Sequence, residues 1–361
     1  MLQRFAKGVV GFSDPRHAAV EEAKARITLP VQDREPEFEA VRLHRERARR
    51  LMAGRQRAAL LDVLYDEIAH RRESQLGLRL YEHSFEGVLS HLHEAPAARD
   101  GFYEPQDMEA HLEASFGLWC RETDQNPVVM ALTARCWQIL GADYRGGDWA
   151  EIVTEEGCAH ERRCLERASA LLDAVPEGRR GVAWHRMRLE GAMAEEGFAP
   201  EERAAIFARC VAADPGSVAA YVTRAQQLLA EPAGAVEAVA AMARDAVART
   251  AAERGASLYA EIYIGLLPYE PLEAMAVDAA LMREGLEDMY ARAPTPLNAN
   301  IALRTAWEIG DFAYCRALFE GGRVGEIRPG VWEEPEDPYW LWAMLHLGAE
   351  RQAYAAGKAG G

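Results

Sequence analysis

Along most of the chain, apolar residues return every third or fourth position. Val218, Tyr221, Val222, Ala225, Leu228 and Leu229 all fall on one face at 3.6 residues per turn. Leu272, Met275, Ala276, Ala279, Met282, Leu286 and Met289 repeat that spacing over five turns, and Leu60, Leu61, Leu64 and Ile68 repeat it over a shorter span. No segment sustains the alternation of period two that a half-buried strand requires. The nearest approaches are Ile27 to Val31, interrupted by Pro30, and Glu326 to Trp332, interrupted by Pro329. Proline cannot donate to a ladder, so neither segment suits a central strand. The pattern predicts an all-α protein.

The punctuation predicts how the helices pair. Pro200, Glu201 and Glu202 open a helix carrying Ile206, Phe207, Cys210 and Val211, with proline at a first helical position and carboxylates at the positive end of the helix dipole. Asp214, Pro215 and Gly216 end it, and Ser217 is placed to cap the next helix. Two amphipathic helices joined by so short a loop bury their apolar faces by packing antiparallel. An earlier hairpin joins Cys164, Ala168, Leu171, Leu172 and Val175 to Trp184, Met187 and Leu189 through the turn Pro176 to Arg180. The turns recur at a spacing slightly longer than the tetratricopeptide period, without a strict consensus. The expected architecture is a stack of antiparallel helical hairpins, a divergent tetratricopeptide-like α-solenoid. It would comprise a separate N-terminal helical arm over residues 1–50, a helical-repeat domain over 51–345, and a helix end with a small-residue tail over 346–361.

The segments Asn126 to Trp149 (NPVVMALTARCWQILGADYRGGDW), Asp214 to Leu229 (DPGSVAAYVTRAQQLL), Ala251 to Gly265 (AAERGASLYAEIYIG), Asn298 to Phe319 (NANIALRTAWEIGDFAYCRALF) and the pair Val331, Trp332 follow one another in a recognisable order. In that order they resemble a bacterial family of unknown function whose predicted fold is tetratricopeptide-like. The resemblance spans roughly residues 55 to 345 and rests on spaced aromatic, glycine and proline positions. It implies the fold and carries no activity. Glu231, Pro232, Ala233 and Gly234 stand where the family pattern has a Lys-Trp-Gly-Gly-like turn.

Charge changes the picture of the partners. The chain has 361 residues with 41 basic and 57 acidic side chains, a net charge of −16. Such a field repels nucleic acid and anionic lipid and favours basic partners. The N-terminus lacks the apolar run of a signal peptide, and no stretch approaches the length needed to cross a bilayer. The six cysteines are widely spaced and sit within apolar helical patterns, where reduced thiols pack as small hydrophobes. A cytoplasmic protein with no membrane span is expected.

Candidate chemistry is sparse. Lysine occurs only at positions 7, 24 and 358, which leaves no phosphate loop ending in lysine; there is also no GxGxxG after a strand and no GxSxG elbow. His83, His91 and His93 lie among Glu82, Glu86 and Glu94, but no two of these histidines stand four apart to share an ion. Cys158, His160, Glu161 and Cys164 form an HExxC string whose last member belongs to an apolar stripe. Neither metal nor cofactor is expected. The loop of Tyr144, Arg145, Asp148 and Trp149 combines aromatics, an arginine and a carboxylate, the composition of an interface hot spot; alternatively, Trp149 packs inward and Arg145 pairs with Asp148. Trp332, Tyr339 and Trp342 lie among carboxylates and offer a surface for a basic peptide, or else a cap on the end of the stack. Arg42, Arg45, Arg47, Arg49, Arg50, Arg55 and Arg57 form the one basic concentration, with Glu39 and Glu46 within one turn of several of them. The expected function is a non-enzymatic scaffold that binds a protein or peptide partner, with Tyr144, Arg145, Asp148, Trp149, Trp332, Tyr339 and Trp342 as its contact residues. Two alternatives are a metal-dependent or hydrolytic enzyme built on the His83, His91 and His93 region, and an anionic-polymer binder built on Arg42 to Arg57.

Overall fold

The computed structural model describes residues 15–32, 36–74, 77–97, 105–145, 153–194, 198–230, 235–332 and 336–346. Among these residues there is no strand, and the fold is all-α. The helices are α1 (Pro15–Arg26), α2 (Pro36–Ala53), α3 (Arg57–Ala69), α4 (Leu80–Ala97), α5 (Pro105–Leu112), α6 (Leu118–Glu122), α7 (Pro127–Arg145), α8 (Glu155–Asp173), α9 (Val182–Ala194), α10 (Pro200–Ala213), α11 (Val218–Leu229), α12 (Ala235–Arg254), α13 (Ser257–Leu266), α14 (Ala279–Arg292), α15 (Pro296–Glu308), α16 (Phe312–Glu320) and α17 (Asp337–His346). They divide into two compact units, residues 36–276 and residues 1–35 together with 277–361.

In the unit of residues 36–276, the predicted hairpins form. Thr154 and Ser217 each accept a backbone N–H at the start of α8 and α11, and the Glu202 carboxylate accepts the N–H of Ala199 at 3.0 Å before α10. The α8–α9 hairpin is tied by Trp184, whose indole N–H donates to the Leu172 carbonyl at 2.7 Å. The α10–α11 hairpin is tied by an edge-on contact between Phe207 and Tyr221. Helix α9 packs on α7, α11 on α9 and α13 on α11, while α8, α10 and α12 lie alongside. A π-helical turn, Glu113–Gly117, joins α5 to α6 and sets Phe116 and Trp119 into the core with Leu60, Leu64, Phe85, Leu132 and Leu172. Each of these fully buried side chains contributes about 1.5–3 kcal/mol.

Helix α2 crosses α4 at Gly87. A Cβ there would lie 2.1 Å from the Arg45 carbonyl oxygen, so only glycine permits the approach. Val41, Ala48 and Met52 are buried on the α4 side. The stretch expected as part of a separate arm over 1–50 is therefore divided. Residues from Pro36 onward belong with α3 and α4, because α2 has its own apolar stripe to bury.

In the other unit, chain ends far apart in sequence meet. Val31 and Ile327 form an isolated parallel bridge, with Gln32 N–H donating to the Ile327 carbonyl at 3.0 Å and Ile327 N–H donating to the Pro30 carbonyl at 2.9 Å. The two proline-broken segments thus pair with each other for a single rung. Helix α1 lies on α17, with Ala19 and Ala23 against Ala343. The continuous helix expected from Leu272 to Met289 does not form. Leu272–Ala274 is a 3-10 turn, and α14 starts only at Ala279, where the Asp278 carboxylate accepts the N–H groups of Ala280 and Leu281 at 3.1 Å. The apolar period runs through this break, but the cap restarts the helix.

Candidate functional site

Buried charge, rather than exposed motif residues, dominates the unit of residues 36–276. Arg79 holds Asp214 through two bonds, Nε to Oδ2 at 2.7 Å and Nη2 to Oδ1 at 2.5 Å, and donates to Glu73 Oε1 at 2.7 Å. Arg254 bridges that same Glu73 oxygen and Glu261 Oε2, the latter at 2.6 Å. Gly77, at φ +73°, and Gly216 leave room for the guanidinium groups, since a Cβ at either would stand 3.0–3.3 Å from them. Each carboxylate meets a guanidinium at hydrogen-bonding distance. A second cluster joins Arg186 to Glu190, with Arg135 3.7 Å from Glu190 and Glu82 3.6 Å from Arg186. Burial pushes the Glu82 carboxyl up. Burial also opposes ionisation of Glu190, but Arg186 and Arg135 outweigh it and hold that carboxyl below its ordinary value.

The cleft between α2 and α3 is different. It encloses about 380 Å³ and is lined by His44, Arg47, Ala59, Asp62, Val63, Asp66, Glu67 and Arg72. Glu67 occupies the core-facing stripe of α3, seven residues after Leu60 and three after Leu64, and its side chain is only 3 % exposed. Its Oε2 accepts the Ser84 hydroxyl at 2.8 Å. Its Oε1 has no hydrogen-bond partner and faces His44 Nδ1 at 3.4 Å, an atom likewise without a hydrogen bond. Burial pushes the Glu67 carboxyl up, against the Ser84 bond and the neighbouring His44 and Arg47. Asp66 is engaged by Arg72 at 2.8 Å and by His70 at 3.1 Å. Arg47 and Asp62 make no ion pair among the described residues. The pocket therefore offers a buried acceptor, two charges of opposite sign outside any ion pair among the described residues, and a short apolar wall.

The residues singled out from sequence are scattered. Tyr144 is half-buried, its ring 5.2 Å from that of His160, and exposed Arg145 stands 3.7 Å from Glu161. Asp148 and Trp149 lie outside the described residues. Trp332 is buried; its indole N–H donates to Asn300 Oδ1 at 2.8 Å, and its ring lies against Trp307. Tyr339 and Trp342 are half-buried on α17. The Tyr339 hydroxyl donates to the Leu29 carbonyl at 2.8 Å, and Trp342 stacks on His346 at 4.7 Å. Trp332 and Tyr339 thus make contacts within the fold.

Arg42 pairs with Glu39, and Arg49 and Arg50 with Glu46, as their spacing predicts, while Arg45 pairs with Glu86 and Arg57 with Glu122, partners brought in from other helices. His83 is buried, with Nδ1 3.1 Å from Glu86; the side chain of His93 lies outside the described residues. Among the described residues, no group of three or more His, Cys, Asp or Glu side chains is arranged to hold a metal ion, and no helix is long and apolar enough to cross a membrane. All six cysteines are unbridged, and burial pushes the thiols of Cys164, Cys210 and Cys315 up to about 12, which removes them from nucleophilic chemistry near neutrality.

Sequence reasoning passed over His44, Asp62 and Glu67. The available signal was a carboxylate inside the apolar stripe of α3, where a leucine or isoleucine would ordinarily continue the face. No protein-family model, no curated protein and no solved structure matches this chain.

Proposed function

We propose that the protein is a non-enzymatic helical scaffold of tetratricopeptide-like character that binds a peptide segment of a partner. The single observation that carries the reading is the succession of α7, α9, α11 and α13, each packed on the one before, with α8, α10 and α12 alongside. Nearest-neighbour stacking of hairpins is the packing rule of repeat proteins, whose business is to present extended surface. The α2–α3 cleft supplies an anchoring point of side-chain size within the same unit, and the net charge of −16 favours a basic segment. Selection from a random peptide library on the purified full chain tests the reading. Convergence on a motif containing lysine or arginine, binding at about micromolar Kd, supports it. Selection that yields no peptide bound better than by an unrelated helical protein overturns it.

A further inference from the structure

The α2–α3 cleft carries its own chemical specification. Its charged lining consists of Asp62, Asp66 and Glu67 against Arg47 and Arg72, with His44 between the two helices. Asp66 and Arg72 neutralise each other at 2.8 Å. What remains is exposed Arg47, exposed Asp62 and a Glu67 whose Oε1 is buried without a hydrogen bond. Carboxylates outnumber arginines in the lining, which favours a cationic ligand. A buried carboxylate oxygen without a hydrogen bond is costly, and the cost falls when a charged donor reaches it. His44 Nδ1 faces that oxygen at 3.4 Å without a hydrogen bond, a contact that a better-placed charged donor would displace. Ala59 and Val63, one turn apart on α3, supply the apolar part of the lining.

We propose that this cleft binds an alkylammonium or alkylguanidinium group, with Glu67 Oε1 and Asp62 accepting from the cation and Ala59 and Val63 packing on its methylene stem. The inference deepens the scaffold reading by naming the side-chain chemistry of the partner, and rests on that reading only for the source of the cation. A free amine and a lysine or arginine side chain present the same group.

Calorimetric titration of the full chain with agmatine, and separately with the capped tripeptide acetyl-Ala-Arg-Ala-amide, distinguishes the sources. Saturable binding of agmatine is expected. It should weaken at least about tenfold in Glu67→Gln, which keeps the volume and the Ser84 contact but removes the charge, and several-fold in Asp62→Asn. Glu177→Gln, on the exposed turn before α9, should bind as the parent does. If agmatine and the tripeptide both bind, the proposal and its peptide source stand. If agmatine binds and the tripeptide does not, the cation site stands and the peptide source falls. Absence of binding by both cations, or binding that neither Glu67→Gln nor Asp62→Asn weakens, overturns the proposal. So does saturable binding of inorganic phosphate in the cleft in place of the cations.

Discussion

Two charge groupings in the unit of residues 36–276 use the same kinds of side chain to different effect. In the Arg79, Asp214, Glu73, Arg254 and Glu261 network, guanidinium groups fork onto carboxylates, and glycines at 77 and 216 make room for the fit. In the α2–α3 cleft, Glu67 Oε1 and His44 Nδ1 face each other at 3.4 Å without a hydrogen bond, and Arg47 and Asp62 stand without ion pairs. In the first every carboxylate is met by a guanidinium, although Arg254 Nε makes no hydrogen bond; in the second the buried Glu67 Oε1 has only His44 facing it at 3.4 Å. A network in which guanidinium groups bridge carboxylates ties elements distant in sequence, here the 71–79 connection, the α10–α11 turn and the end of α12. An unsatisfied one costs stability, which makes it the better candidate for a site.

The sharpest way to break this contrast is Asp214→Ala, which leaves the Arg79 guanidinium buried without its forked partner. We expect a loss of about 3–5 kcal/mol in chemical denaturation. A loss below about 1 kcal/mol would show that the network is no more committed to the fold than an exposed pair. Gly87→Ala should come next. It drives a methyl into the Arg45 carbonyl, costs about 1–3 kcal/mol and loosens the α2 wall of the cleft, so agmatine binding should weaken along with the melting temperature.

Glu67→Gln should act in the other direction. A carboxyl whose value is raised by folding costs stability once the pH exceeds that raised value, and nothing below its ordinary one. The variant should therefore melt higher than the parent at neutral pH, by about 2–4 °C for each kcal/mol relieved. The advantage should shrink as the pH falls toward the ordinary carboxylate range. Equal destabilisation by Glu67→Gln at every pH would place Glu67 with the Arg79 network. The smallest effect belongs to Arg42→Gln. Its partner Glu39 is fully exposed on α2, and melting should not change measurably at moderate salt.

The hairpins were legible because their information is local. The apolar faces of α8 to α11, the Ser217 cap and the Glu39–Arg42 and Glu46–Arg49 pairs all lie within a turn or two of sequence. The break before α14 was not legible, because Leu272, Met275 and Met282 keep helical spacing across it while the Asp278 cap competes. Trp332, read as surface, is buried because Asn300 supplies its indole partner from 32 positions away. The cleft was missed because His44 and Glu67 become neighbours only when α2 and α3 pack, and a glutamate in an apolar stripe carries no signature of what will face it.

By itself the sequence determined that this protein is helical, where the α8–α9 and α10–α11 hairpins turn, and which faces of those helices are greasy, since these follow from a 3.6-residue period and from side chains capping nearby backbone. Only the tertiary structure decided that residues 1–35 join 277–361, that Arg79 meets Asp214, and that one oxygen of Glu67 is left wanting a donor. Those outcomes depend on which surfaces meet across long loops, and a buried charge takes its energy from the partners it finds there rather than from its own position along the chain.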